Sequence, residues 1–262
     1  MLTIAEEFLL MTASDLGDDA SAPVIDLPKS RLGIEAALTG AVLMELALRD
    51  RIETDLERLW VVNASPTGET SADPLLAALV ALPAAAPPGC GITDILLKFR
   101  ESGVYDLAIR SLKARGVVRE ETTRILWVIP LRESVIADIE IQRNIRNRVC
   151  EVLFNGAFPE PRDICLLGLL EATKKFRRVV PAERVQEAID QTRRYVDLDL
   201  VGRSLSTHVA RMYECRGRQD AGSDHRPPGG GREAAQQGMV RHGWISPQAS
   251  LLRAMRPSVG PH

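Results

Sequence analysis

Residues 32–52, LGIEAALTGAVLMELALRDRI, constrain the fold of this chain more than any other segment. At about 100° of turn per residue, the four interior polar positions fall within about 120° of the helical circumference. These positions are Glu35, Thr39, Glu45 and Arg49. A helix that is apolar over most of its circumference belongs at the centre of a helical domain. The segment therefore predicts a core helix, with Glu35 and Glu45 ion-paired or at the rim of the core.

Short motifs follow this helix in a defined order. Residues 52–62 read as a short strand pair, and residues 65–68, SPTG, supply a turn. A further helix is expected to open near Asp73, and an amphipathic first helix is expected over residues 3–12. These segments predict a domain built mainly from α-helices.

The order LxELALRxRI, strand pair, SPTG and DxLLxxAL resembles the Golgi phosphoprotein 3 (GPP34) family. Residues 102–118 are similar to the family helix that ends in a Gly-Val turn, and residues 121–132 to its protruding β-hairpin. The resemblance covers about residues 3–210. It implies an all-α (mainly α) domain in which amphipathic helices surround central buried helices, plus one β-hairpin. Further helices are expected over residues 135–154, 162–179 and 181–196.

The last part of the chain differs in composition from the rest. We expect one domain over residues 1–210, which carry 25 basic and 31 acidic residues. Residues 211–262 include eight Gly, five Pro and eight Arg against four acidic residues. Such a composition buries too little apolar surface to fold, so this tail is expected to be disordered. It is either a basic arm for phosphates or anionic lipid, or an extension without a role.

The chain shows no targeting signal and no cysteine motif. Residues 3–12 carry acidic side chains where a signal peptide needs basic ones. The cysteines lack CxxC spacing, which is typical of free thiols in a reducing compartment. A cytoplasmic location is therefore expected, and the resemblance implies a peripheral position on a membrane. The cysteines are Cys90, Cys150, Cys165 and Cys215.

Catalytic and metal sites have little basis in the sequence. All four histidines, His208, His225, His242 and His262, lie at or beyond the end of the last expected helix. A buried nucleophile-histidine pair or a metal site is hard to build from them. Glu35 and Glu45 are three helical turns apart, too far for shared acid-base chemistry. We predict no catalytic residue, no cofactor and no metal.

Binding is the function that the resemblance implies. Family members grip the headgroup of phosphatidylinositol 4-phosphate with a tryptophan and several arginines, beside a hairpin that meets the bilayer. The tryptophan position falls near Ser30, and the arginine positions fall at Thr39, Ser102 and Tyr105, so none of the four residue types matches. Nearby cations either form a rearranged anion site or are solvated surface charges. They are Lys29, Arg31, Lys98 and Arg100.

The hairpin tip is apolar on both faces, which indicates membrane contact or self-association unless the tip packs on its own domain. Its residues are Arg124, Ile125, Leu126, Trp127, Val128 and Ile129. The expected function is non-enzymatic, peripheral binding to anionic phospholipid. Phosphatidylinositol 4-phosphate is a candidate lipid, and the hairpin is a candidate site for homo-oligomer formation. The alternative within the binding class is a protein adaptor without lipid affinity.

A winged-helix DNA-binding domain is a further alternative. Residues 92–100 and 104–115, the Gly116 turn and the hairpin match that order of elements, and Arg110, Lys113 and Arg115 could meet phosphates. The acidic balance of residues 1–210 and an apolar wing oppose it, because DNA binding depends on counterion release by cations. Nucleic acid is therefore not the expected partner.

Deleting residues 216–262 should leave the melting temperature of the domain within a few degrees. The deletion removes a segment whose composition cannot form a core. Thermal melting followed by circular dichroism tests this, and a cooperative loss of helix on deletion would show that the tail docks on the domain.

Overall fold

A computed structural model describes residues 1–14, 23–25, 31–83, 85–125 and 129–222. The side chains of residues 31–32, 123–125, 129–132 and 215–222 are outside this description. The described ranges contain nine α-helices: α1 (Ile4–Thr12), α2 (Arg31–Leu48), α3 (Asp73–Val80), α4 (Ile92–Lys98), α5 (Val104–Ala114), α6 (Ile139–Phe154), α7 (Pro161–Ala172), α8 (Val185–Val196) and α9 (Leu200–Gly222). Their strands are β1 (Val24–Ile25), β2 (Ile52–Thr54), β3 (Arg58–Val61), β4 (Cys90–Gly91), β5 (Val118–Ile125) and β6 (Ile129–Ile136). The mainly α fold is confirmed.

Helix α2 lies at the centre of the domain, as its sequence predicts. It contacts α1, α4, α5, α7 and α9. Its polar residues Glu35, Thr39 and Glu45 are at most 4% exposed. At Gly40 the backbone approaches α9 so closely that an added Cβ would lie 2.5 Å from Val209 Cγ2. The polar side of α2 is therefore buried in the protein together with its apolar side.

Helix α2 ends at Leu48, before the expected end at residue 52. Asp50 adopts a left-handed φ of 55°, and the amide of Arg51 donates to the carbonyl oxygen of Leu46 at 2.9 Å. This pattern closes a helix by satisfying its last carbonyl groups. Ile52 then begins β2, because the chain has already turned away from the helix axis.

The strands form two small antiparallel sheets, with the orders β1-β6-β5 and β2-β3-β4. The expected hairpin is confirmed, and its ladder runs from the pair Val118–Ile136 to the pair Ile125–Ile129. Strand β1 pairs with β6 only near the base of this hairpin, at Val135 and Ser134. Strand β5 is consequently an edge strand of its sheet.

Two helices begin later than the sequence predicts. Helix α6 starts at Ile139 rather than 135. The preceding residues, up to Ile136, are held in the ladder of β6, and Asp138 then caps α6 by accepting from the amide of Glu140 at 3.1 Å. Helix α8 starts at Val185 rather than 181, after a 3-10 turn over Ala182–Arg184.

Helix α7 ends at Ala172 rather than near residue 179. Lys174 has a left-handed φ of 57°, and the amide of Lys175 donates to the carbonyl oxygen of Leu170 at 2.8 Å. These are the hydrogen bonds and the backbone turn that also end α2. A 3-10 turn over Phe176–Arg178 follows.

Helix α9 extends the folded part of the chain beyond residue 210 to Gly222. Val209 is fully buried, and Met212 and Tyr213 pack against the core. The domain boundary expected at residue 210 therefore falls inside α9, because apolar side chains beyond it still contact the core. Residues 223–262, the rest of the expected tail, lie outside the described residues.

A cluster of buried charges joins α1, α6 and α7. Glu7 and Asp163 are buried, and Arg148 reaches both, with Nη2 2.6 Å from Glu7 Oε2 and Nε 2.8 Å from Asp163 Oδ1. Burial opposes the charged guanidinium, but hydrogen bonding and attraction from the two carboxylates outweigh burial and raise the pKa of Arg148. Each buried carboxylate thus has a cation beside it.

Arg162 connects this cluster to α2 and to the N-terminal residues. Its Nη2 donates to the carbonyl oxygen of Leu2 at 2.7 Å and lies 3.8 Å from Glu7 Oε1 and 3.6 Å from Glu45 Oε2. The amide of Ile4 also donates to Glu45 Oε2, at 3.0 Å. The ion-paired position expected for Glu45 is confirmed. No helix in the described ranges combines the length and the apolar character that crossing a membrane requires.

Replacing Arg162 by Met should lower the free energy of unfolding by about 3 kcal/mol, because Glu7 and Glu45 stay buried with fewer cationic partners. The control is Arg143→Met, which breaks an exposed pair with Glu140 and should cost under about 1 kcal/mol. Urea denaturation measures both. Equal losses in the two variants would contradict the importance of the buried cluster.

Candidate functional site

Three of the four positions at which the resemblance places lipid-binding residues are neighbours in the structure. The hydroxyl of Thr39 and the amide of Ser102 donate to the same carbonyl oxygen, that of Phe99, at 3.4 and 3.0 Å. The amide of Tyr105 donates to Glu35 Oε2 at 3.4 Å. These positions meet where α2 contacts the turn between α4 and α5. Ser30, the fourth position, lies outside the described residues.

This place is filled by the protein itself. Thr39 and Tyr105 are 0% and 4% exposed. The hydroxyl oxygen of Ser102 is buried and has no hydrogen-bond partner among the described residues. Within the described residues, these side chains are packed inside the protein and leave no open pocket for a headgroup between them.

An acidic side chain also lies at this place. Helix α5 begins after Gly103, which provides no side-chain cap, and the amide groups of a first helical turn attract anions. The buried carboxylate of Glu35 occupies that position through its bond with the Tyr105 amide. The first turn of α5 therefore already has a carboxylate at the place where an anion would bind.

The expected substitute cations are only partly within the described residues. Lys98 and Arg100 are both exposed, on either side of buried Phe99. Arg100 Nε lies 3.7 Å from Glu101 Oε1. Lys29 and the side chain of Arg31 lie outside the described residues. The two described cations are thus surface groups beside the closed position, and they do not line a cavity with Thr39.

The hairpin projects from the domain along most of its length. Among the described elements, α5 and β1 are its main neighbours, both at its base. Along the stem, Arg119, Glu120 and Thr122 are exposed, and Arg119 pairs with Glu121 at 2.6 Å. At the predicted tip, Arg124, Ile125 and Ile129 belong to the paired strands but their side chains are not described, and Leu126, Trp127 and Val128 lie outside the described residues.

A basic segment that the sequence analysis missed lies between α7 and α8. Residues 173–184, which we call the basic connector, contain Lys174, Lys175, Arg177, Arg178 and Arg184. Lys174 and Arg177 line a cleft of about 980 Å³ between α7, α8 and α9. The run KKFRR was visible in the sequence. It was overlooked because residues 174–178 were expected to lie inside a helix over residues 162–179.

Two side chains that could act as a base or a nucleophile, His208 and Cys165, are buried. His208, expected at or beyond the last helix, is buried within α9, with Nδ1 2.8 Å from Thr93 Oγ1 and Nε2 3.0 Å from the carbonyl oxygen of Leu56. Burial raises the pKa of the Cys165 thiol, which therefore stays protonated at neutral pH. Within the described ranges, no group of three or more His, Cys, Asp or Glu side chains is placed to hold a metal ion.

Comparison with known families agrees with this architecture. Residues 4–212 match the family described as Golgi phosphoprotein 3 (GPP34). The chain belongs to the GPP34 family. The resemblance seen in the LxELALR motif is confirmed, and the match covers all nine helices of the described ranges at least in part. No curated protein matches the chain. GPP34 is not known as an enzyme family.

Thr39→Arg should lower the free energy of unfolding by at least about 2 kcal/mol, because a guanidinium must enter a filled, buried position. The matched control, Thr70→Arg, lies on the surface and should change stability by about 0.5 kcal/mol or less. Urea denaturation provides the comparison. A fully stable Thr39→Arg variant with new affinity for phosphatidylinositol 4-phosphate would instead indicate an open pocket.

Proposed function

We propose that this GPP34 protein is a non-enzymatic protein that associates peripherally with anionic phospholipid membranes through the hairpin of β5 and β6. The projecting stem of this hairpin is the observation on which the proposal rests. Each strand has eight residues, so the ladder reaches about 26 Å from end to end. Among the described elements, its main neighbours, α5 and β1, lie at its base, and this supports contact of the opposite end with another surface.

The sequence of the tip suits a membrane interface. The run from residue 125 to 131, ILWVIPL, contains no charged side chain, and Arg124 and Arg132 flank it. An apolar loop that enters the interface gains burial, and flanking arginines gain attraction to anionic headgroups. The indole of Trp127 belongs to the side chains enriched at this depth of a bilayer. Both contributions act without a shaped headgroup pocket.

The proposal is for an anionic surface and not for one phosphoinositide. At the family's headgroup position, the buried carboxylate of Glu35 and the buried side chains of Thr39 and Tyr105 replace an open cationic pocket. Phosphatidylinositol 4-phosphate should therefore bind according to its charge, like other anionic lipids. This makes the association electrostatic and apolar in origin, with little stereochemical selection.

Self-association through the hairpin is a second candidate, favoured by the position of β5. In the sheet β1-β6-β5, the outer edge of β5 pairs with no other described strand. An exposed strand edge can pair with the same edge of a second copy. Such a dimer would serve as an adaptor in the absence of lipid.

The winged-helix alternative receives no support from the packing of α5. This helix contacts α1, α2 and β5, and most of its side chains are buried. A recognition helix needs a free cationic face for the major groove. The exposed residues of α5 are Asp106, Arg110 and Ala114, which provide one cation and one acid.

Replacing Leu126 and Trp127 together by Ser should reduce binding to phosphatidylglycerol-containing vesicles at least tenfold, because the tip loses most of its insertable area. The melting temperature of this double variant should change little. The control replaces Phe158 and Leu198 by Ser; these side chains are 95% and 86% exposed elsewhere on the domain. Vesicle sedimentation measures binding, and an equal loss in both variants would contradict a specific role for the hairpin.

Fluorescence of Trp127 provides an independent test. In a chain with Trp60→Phe and Trp244→Phe, emission should shift to the blue when anionic vesicles are added, because the indole leaves water for the interface. An emission that is already blue and does not respond to lipid would place Trp127 in a protein interior and exclude the membrane-tip role.

A further inference from the structure

The basic connector reverses the charge of the domain around it. Residues 173–184 contain five cations and one acidic residue, Glu183, whereas residues 1–210 as a whole carry 25 basic and 31 acidic residues. A cluster of one sign within a domain of the other sign creates a localised positive field. Arg184 is paired with Glu187 at 2.9 Å, so an anionic partner is drawn mainly to the exposed Lys174 and Arg177.

The connector holds its cations on a rigid support. Phe176, Val179 and Val180 are buried and anchor the segment in the core. Lys174, before Phe176, and Arg177, after it, are exposed. The carbonyl oxygen of Arg178 also accepts a hydrogen bond from Arg146 Nη2 at 3.1 Å. Preorganised cations lose less freedom on binding than cations on a mobile loop.

Lys174 occupies a backbone position at which glycine is usual. Its φ of 57° is left-handed, and it forms the turn in which the amide of Lys175 closes α7 on Leu170. A non-glycine residue is disfavoured there because its Cβ crowds the neighbouring carbonyl group. When a non-glycine residue adopts such an unfavourable backbone conformation, its side chain is a candidate for a functional role.

Both cations face a cleft and lack an internal counter-ion. Lys174 and Arg177 line the cleft between α7, α8 and α9, and neither makes an ion pair with a described residue. Arg193, also on the wall, is neutralised by Glu171 at 2.7 Å. The other acidic wall residues are Asp197 and Glu214; neither is within ion-pair distance of the two cations. An external anion can therefore act as the counter-ion of Lys174 and Arg177.

The connector lies near the hairpin. Arg146, which donates to Arg178, is in the first half of α6, and β6 ends at Ile136, shortly before α6 begins. The connector and the hairpin therefore adjoin the same half of α6. The connector is therefore close to the base of the hairpin, at the pair Val118–Ile136, and not to the opposite end of the ladder.

We infer that Lys174 and Arg177 bind a phosphate group at the mouth of this cleft. The inference rests on the proposed function in one respect, since there the phosphate belongs to an anionic phospholipid. A guanidinium offers a planar pair of N–H donors to two phosphate oxygens, and an ammonium adds a compact charge from the other side. The site is separate from the closed position around Thr39.

Vesicle binding by the full chain tests the lipid source of the phosphate. The double variant Lys174→Gln, Arg177→Gln should bind vesicles of phosphatidylcholine and phosphatidylglycerol about 25-fold more weakly than the wild type. This figure assumes that each cation near an anionic surface contributes about fivefold to the affinity. The matched variant, Lys98→Gln with Arg100→Gln, removes the same charge beside the closed position and should weaken binding no more than about twofold. Equal effects of the two pairs would overturn the inference and leave only a general attraction.

Lys174→Gly separates binding from folding. Glycine relieves the left-handed backbone while removing the cation, so the melting temperature should stay the same or rise while vesicle binding falls about fivefold. A glycine variant that binds vesicles like the wild type would overturn the role of Lys174.

Titration with inorganic phosphate tests the site without a membrane. In ¹⁵N-labelled protein at constant ionic strength, phosphate should shift the amide resonances of residues 173–184 in the wild type and not in the Lys174→Gln, Arg177→Gln variant. Shifts without vesicle binding would support the phosphate site and contradict the membrane proposal. Vesicle binding without phosphate shifts would overturn the site and leave the hairpin proposal standing.

Discussion

The buried carboxylates Glu7, Glu45 and Asp163 impose the constraint on which the rest of the structure depends. A carboxylate is stable in a protein interior only beside cations and hydrogen-bond donors. Arg148 and Arg162 provide them, and Arg162 also binds the N-terminal backbone. Because these side chains come from α1, α2, α6 and α7, the four helices must keep one arrangement. The core helix α2 is thus fixed by charge on one side and by apolar packing on the other.

This fixed arrangement determines what the domain can present to a partner. Helix α6 carries one arginine of the buried cluster, follows directly on the hairpin, and supports the basic connector through Arg146. The base of the hairpin and the basic connector therefore adjoin the same half of one helix. Peripheral membrane proteins combine these two contributions, since apolar insertion and attraction to anionic lipid add to each other. The family's position around Thr39 contributes neither, because it is closed and contains the carboxylate of Glu35.

The helix ends show which parts of this architecture the sequence could predict. Helix α5 ends at a left-handed glycine, Gly116, and its end was correctly placed. Helices α2 and α7 end by the same hydrogen-bond pattern, with Asp50 and Lys174 in the left-handed backbone conformation. Because residues other than glycine adopt this conformation less often, the sequence placed both helix ends too late. The basic connector was hidden by the second error. Helical periodicity identified the polar side of α2 but not what covers it, so the burial of Thr39 required tertiary structure.

Vesicle sedimentation of the unmodified protein at low and high salt tests the central claim most directly. The vesicles would be phosphatidylcholine alone, or phosphatidylcholine with phosphatidylglycerol or with phosphatidylinositol 4-phosphate at matched surface charge. We expect no binding to neutral vesicles, similar binding to the two anionic kinds, and a marked loss of binding at high salt because exposed charges are then screened. Binding that requires phosphatidylinositol 4-phosphate, or no binding to either anionic surface, would contradict the account.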